Sequence, residues 1–139
     1  VIALALRAVG ALLVLLGLAH LALPYGLGWL REFTALTPLT RRIMHLHTGF
    51  IGLACVLGGL PPLLLTGDLL AGGQLAAAIL AGECVFWGAR WLCQFAAFTP
   101  SIWRGSRLRT AGHLGFAVLW TGITATFATA LVAAVARGG

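Results

Sequence analysis

The stretch Gly82–Phe95, GECVFWGARWLCQF, places a Glu, an Arg and a Gln in a chain that is 60% hydrophobic and 9% charged. On a helix turning about 100° per residue, with Glu83 at zero, Trp87 falls near 40°, Arg90 near −20° and Gln94 near 20°. Three polar groups and an indole therefore share one narrow stripe. The opposite arc, Val85, Ala89 and Leu92, is wholly apolar. Such a helix suits a lipid surround: the apolar arc faces hydrocarbon, and the stripe faces protein that can satisfy its polar groups.

The rest of the chain agrees with that reading. Its mean hydropathy is +1.02, far above that of a soluble domain. It has 139 residues, three acids and a net charge of +6. All of its basic residues are Arg, and they flank apolar runs of spanning length, so lipid headgroups rather than nucleic acid are the expected counter-charge. The three cysteines, Cys55, Cys84 and Cys93, lie inside apolar segments and read as small core residues, not as a disulfide framework. The first apolar run has no basic leader and no small-residue cleavage site, so it reads as a retained helix.

A membrane span needs about 20 apolar residues. Four segments qualify, at 2–23, 38–60, 73–98 and 111–136, predicting an all-α membrane protein whose residues 1–139 form a single four-helix bundle. Thr37 and Thr99, each followed by Pro, are N-cap signals, as is Thr110 for the last helix. Pro61-Pro62 predicts a stop or kink near Leu60. TGDLLAGG reads as a short turn. Residues 25–36, with Tyr25, Trp29 and Phe33, read as an interfacial segment with aromatic anchors, and Trp103 as another such anchor. Arg31, Arg41 and Arg42 crowd one loop and Arg104, Arg107 and Arg109 another. The positive-inside rule then predicts a multi-pass protein with both of these loops cytoplasmic and both termini outside, periplasmic in a bacterial inner membrane.

The two Arg-rich crossings resemble each other. FTALTP precedes HTGF and FAAFTP precedes HLGF, with Pro38 nine residues before His47 and Pro100 thirteen before His113. A duplication would make the bundle two repeated helical hairpins about a two-fold axis along the membrane normal.

Because the helices alternate in direction, His20, His45, His47, Arg90, Gln94 and His113 all fall at the Arg-rich end, roughly 5–12 Å inside the interface at 1.5 Å per residue. Polar groups at such depth are site candidates. His45 and His47 lie about 200° apart and cannot share a centre. His47 heads the stripe His47, Phe50, Ala54, and His113 heads Phe116, Trp120, Thr124, so these two histidines are the expected inward pair, with His20 third and His45 pointing at the loop. Glu83 lies deeper, near mid-bilayer.

The pattern resembles small bacterial four-helix integral membrane proteins of unassigned function. It is carried by His20 and Pro24, HTGF, FWGARWLCQ, SIWRG, and HLGF with the following LW. The resemblance implies the fold and brings no known substrate or cofactor with it.

Three functional readings stand side by side. The first is a redox subunit for electron transfer, binding haem b at a site of His47, His113, Arg90 and Gln94, or a metal at His20, His47 and His113. The second is an accessory subunit of a larger membrane complex or homo-oligomer, its polar layer serving as internal glue. The third is a transporter or proton relay using Glu83. No hydrolase triad, P-loop, dinucleotide fingerprint or H-E-x-x-H is present, so the chain is not expected to be an enzyme on its own.

Overall fold

The computed structural model describes residues 1–138; Gly139, the last residue of the expected domain, lies outside it. All regular structure among the described residues is helical: α1 (Ile2–Ala19), α2 (Leu23–Gly26), α3 (Trp29–Phe33), α4 (Pro38–Leu64), α5 (Thr66–Ala71), α6 (Gln74–Ala96), α7 (Pro100–Trp103) and α8 (Arg107–Gly138). Four of these, α1, α4, α6 and α8, are long and apolar enough to cross a membrane. The chain divides into two compact parts, residues 7–65 and the remainder.

In the first part, α1 and α4 run antiparallel, because Gly10 meets Gly59 and Gly17 meets Gly52. The contact is backbone on backbone. A methyl group added at Gly17 would lie 2.5 Å from the Gly52 carbonyl oxygen, and one at Gly59 would lie 2.6 Å from that of Gly10. Each pair of glycines is seven residues apart, two helical turns, so each helix presents both on one face. That face of α4 is its buried one, made of Thr48, Gly52, Cys55, Gly59 and Pro62.

The segment expected at an interface holds two short helices, α2 and α3. Gly28, at φ +73°, makes the turn between α2 and α3, a left-handed conformation that glycine adopts without strain. Arg41, one turn into α4, donates from Nε to the Phe33 carbonyl at 2.9 Å and from Nη2 to those of Thr34 and Leu36 at 2.9 and 3.3 Å. One guanidinium thus satisfies the orphan carbonyls where α3 ends.

Local signals were met unevenly. Thr37 caps α4, its hydroxyl accepting from the Thr40 amide at 3.3 Å. Pro61 and Pro62 do not stop α4 at Leu60; the helix runs on through both to Leu64. Their fixed φ lies within the helical range, although the two missing amide donors leave the Leu57 and Gly58 carbonyls without their usual helical partners. Thr110 does not cap the last helix. Ser106 does, accepting from the Arg109 amide at 3.4 Å, while the Thr110 hydroxyl donates to the Trp103 carbonyl at 3.1 Å. TGDLLAGG is the helix α5 and a two-glycine turn, with Gly72 and Gly73 both at positive φ.

In the second part α6 and α8 run antiparallel, since Gln94 pairs with His113, Trp91 with Thr121 and Trp87 with Trp120. The repeat seen in sequence is only partly kept. Pro38 opens a continuous 27-residue helix, whereas Pro100 opens a four-residue helix that breaks before α8. At the far end of α8, Arg137 donates to the Leu70 carbonyl of α5 at 2.7 Å.

Candidate functional site: a polar and aromatic chain between α6 and α8

The stripe of the opening stretch lies on the inward side of α6. Trp87 and Gln94 are buried and Glu83 and Arg90 half-buried, while Val85, Ala89 and Leu92 are exposed. Within the stripe each polar group takes a partner one turn away or on α8.

Glu83 Oε2 accepts from Trp87 Nε1 at 2.7 Å. The Trp87 indole stacks on Trp120 of α8, with ring centroids 5.6 Å apart and planes 8° from parallel. Arg90 lies on the other neighbour of that ring system: its guanidinium carbon is 4.6 Å from the Trp120 centroid and 6.0 Å from that of Phe98. Arg90 is therefore held by π-faces as well as by hydrogen bonds.

Arg90 Nη1 also donates to Gln94 Oε1 at 3.4 Å, and Gln94 Nε2 lies 3.0 Å from His113 Nδ1. A guanidinium can only donate, so it fixes the amide's oxygen towards Arg90 and its NH2 towards His113. The NH2 in turn requires an acceptor, so His113 Nδ1 carries the lone pair and Nε2 the hydrogen. Trp103 stacks on the same imidazole at 4.6 Å and 9°, and Phe95 meets its edge at 6.3 Å. Trp103 itself donates to the Phe98 carbonyl at 3.1 Å, and Trp91 donates to the Thr121 hydroxyl at 2.8 Å. Among the described residues two buried polar atoms stand outside this accounting, Trp120 Nε1 and Thr124 Oγ1, which have no hydrogen-bond partner.

The histidines of α1 and α4 are placed differently. His20 Nδ1 donates to the Leu16 carbonyl at 2.7 Å, and His47 Nδ1 to that of Ile43 at 3.1 Å. Both therefore keep a lone pair on Nε2, the reverse of His113. His47 and Phe50 are exposed. The inward face of α4 starts at Thr48, one residue and 100° on, because the glycines that allow close packing lie on that side. His45 meets the ring of Phe33 in α3 edge-on at 5.2 Å. Among the described residues no group of three or more His, Cys, Asp or Glu side chains is placed to hold a metal ion. Of the three cysteines, all expected in the core, Cys55 is buried and Cys84 half-buried, whereas Cys93 is exposed on the arc of Ala89 and Leu92.

The residue set Gln94, Arg90 and His113 was legible from helix depth. The π-contacts of Arg90 and the clamp of Trp103 on His113 were not, although Trp120 stands two turns from His113 on one face. The chain matches no protein-family model, no curated protein and no solved structure with which it was compared.

Proposed function

We propose that the protein is a small multi-pass subunit of a bacterial cytoplasmic membrane, built into a larger membrane assembly, in which the α6–α8 hairpin is a rigid structural element. The observation that carries this reading is the chain Arg90–Gln94–His113, flanked by Trp120 and Trp103. Arg90 donates to the Gln94 oxygen and the Gln94 NH2 to His113 on α8, a link of the kind by which interhelical polar groups act as glue in hydrocarbon. With the Arg-rich turns in the cytoplasm, both termini are periplasmic.

The test is native electrophoresis of solubilised host membranes carrying a tagged chain. Wild type is expected in a discrete high-mass band, and Gln94→Leu, which unmatches the chain, in a smaller or free form. A wild-type chain that runs free in the mildest detergents overturns the reading.

A second reading, haem or metal binding for electron transfer, is favoured by a separate observation. His20 and His47 each donate Nδ1–H to a backbone carbonyl, the arrangement that orients a ligating imidazole and leaves Nε2 open. His113 in its described pairing would have to surrender its Nε2 hydrogen to bind iron. An absorption spectrum and elemental analysis of protein from haem-replete cells decide the matter: a Soret band lost in His20→Ala or His47→Ala would establish this reading over the first.

A further inference from the structure

Three histidines have a described hydrogen bond at Nδ1, and one of them is wired in the opposite sense. His20 and His47 donate from Nδ1 to the Leu16 and Ile43 carbonyls, so a proton taken up at Nε2 leaves both bonds as they are. His113 accepts at Nδ1 from the Gln94 NH2 at 3.0 Å, and Nδ1 is the atom at which this tautomer takes up a proton. An imidazolium only donates. Protonation therefore sets an N–H of His113 against the NH2 of Gln94.

Gln94 then stands between two donors, because Arg90 Nη1 meets its Oε1 at 3.4 Å and a guanidinium has no lone pair to offer. The amide has one oxygen, and its two neighbours lie at opposite ends of the group. Gln94 is 2% exposed, so bulk water does not supply the missing acceptor. The imidazole is the fixed member of the pair: Trp103 stacks on it at 4.6 Å and Phe95 meets its edge at 6.3 Å, and an indole face also attracts a cation. The terminal torsion of Gln94 is the soft one, broad and roughly two-fold. Half a turn about it hands the oxygen to His113 and the NH2 to Arg90.

The charged groups around the ring offer it no other acceptor. On α6 the nearest is Arg90, and Glu83 lies about 16 Å along the helix from Gln94 at 1.5 Å per residue. After α7, Arg104 lies over the Trp103 ring at 5.5 Å, and on α8 Arg109 precedes His113 by one turn. Asp68 belongs to α5, which packs at the far end of α8 where Arg137 meets Leu70. We propose that Gln94 is a proton-driven amide switch. When His113 takes up a proton, the amide turns, its oxygen passes from Arg90 to His113, and Arg90 leaves the amide while staying over Trp120 and Phe98. A proton bound at the Arg-rich end is thereby relayed as a change of partner one turn further along α6. The switch belongs to the hairpin itself and does not depend on the chain's joining an assembly.

Solid-state NMR of the nitrogen-15-labelled full chain in lipid nanodiscs reads each junction, at about pH 8 and about pH 5, the range in which imidazoles titrate. At the higher pH a coupling between Gln94 Nε2 and His113 Nδ1 is expected through their hydrogen bond. At the lower pH that coupling should be lost, His113 should carry hydrogens on both nitrogens, and the Arg90 Nη1 resonance should shift as its acceptor turns away. In Gln94→Glu the side chain offers an oxygen to each neighbour, so the Arg90 resonance should hold its place while His113 titrates. His113→Phe keeps the stack on Trp103 without a proton site, and should leave the Arg90 resonance independent of pH. Helical circular dichroism checks that each variant folds. An Arg90 shift of equal size in wild type and Gln94→Glu would make it a field effect of the new charge and overturn the proposal. So would an Arg90 shift in His113→Phe, a Gln94–His113 coupling kept at about pH 5, or a His113 that takes up no proton.

Discussion

Gln94 Nε2 lies 3.0 Å from His113 Nδ1, and because Arg90 holds the other end of the same amide, the imidazole is left with its hydrogen on Nε2. That tautomer can be read directly. Nitrogen-15 NMR of the labelled protein should show His113 with an unprotonated Nδ1 and a protonated Nε2. Gln94→Glu presents only acceptors to the ring and should reverse the assignment. Gln94→Leu strands a donor and an acceptor at once, and should cost about 1–3 kcal/mol of stability. An Nδ1–H tautomer in the wild-type protein would remove the amide chain from consideration.

The glycines of the α1–α4 pair should be far less tolerant than the others. Gly17→Ala and Gly59→Ala drive a methyl group into carbonyl oxygens and backbone of the facing helix, so the helices must separate, at a cost of about 1–3 kcal/mol. Gly49→Ala and Gly82→Ala meet nothing within 4 Å. These should be neutral, or stabilising by up to about 1 kcal/mol from helix propensity. Equal effects in the two sets, measured by steric trapping or thermal unfolding in detergent, would contradict the close contact.

Two threonines of α8 make an opposed pair. Thr121 accepts from Trp91 Nε1, whereas Thr124 Oγ1 is buried without a partner. Thr121→Val should therefore destabilise by about 0.5–1.5 kcal/mol, while Thr124→Val, which removes a polar group that gains nothing, should be neutral or slightly stabilising. A clear loss at position 124 would reveal a partner for that hydroxyl.

Arg90→Leu should cost more than Leu92→Ala. The first abolishes the π-contacts with Trp120 and Phe98 and unpairs Gln94. The second removes exposed methyl and methylene groups that lipid can replace. The difference is expected to be on the order of 1–2 kcal/mol, and the reverse order would mean that the stripe faces away from protein.

Orientation is open to labelling. In a variant stripped of Cys55, Cys84 and Cys93, Asp68→Cys on α5 should react with an impermeant maleimide added to the periplasmic side. Reaction from the cytoplasm alone would invert the topology.

The residues that were legible beforehand share a property. Span, depth and stripe follow from the periodicity of one helix, and Glu83, Trp87, Arg90 and Gln94 are one helix. The face of α4 did not follow, because it is chosen by which backbone can be approached closely. His47 loses to Thr48 through Gly52 and Gly59, whose seven-residue spacing mirrors Gly10 and Gly17 and was the available signal. Pro61 and Pro62 signalled a stop that the helix does not make, since a fixed φ near −65° lies within the helical range and α4 runs on to Leu64. The α7 break in the second crossing was likewise hidden, since Thr-Pro starts a helix equally well whether four residues or 27 follow.

The separation of 19 positions between Gln94 and His113 also sets an interval in time. At roughly 5–20 residues per second, synthesis delivers His113 about 1–4 s after Gln94. During that interval α6 is complete and the acceptor for its amide has not yet been made. A chain halted before α8 therefore keeps Gln94 and Arg90 on a finished helix without the imidazole and the indole that α8 supplies to them.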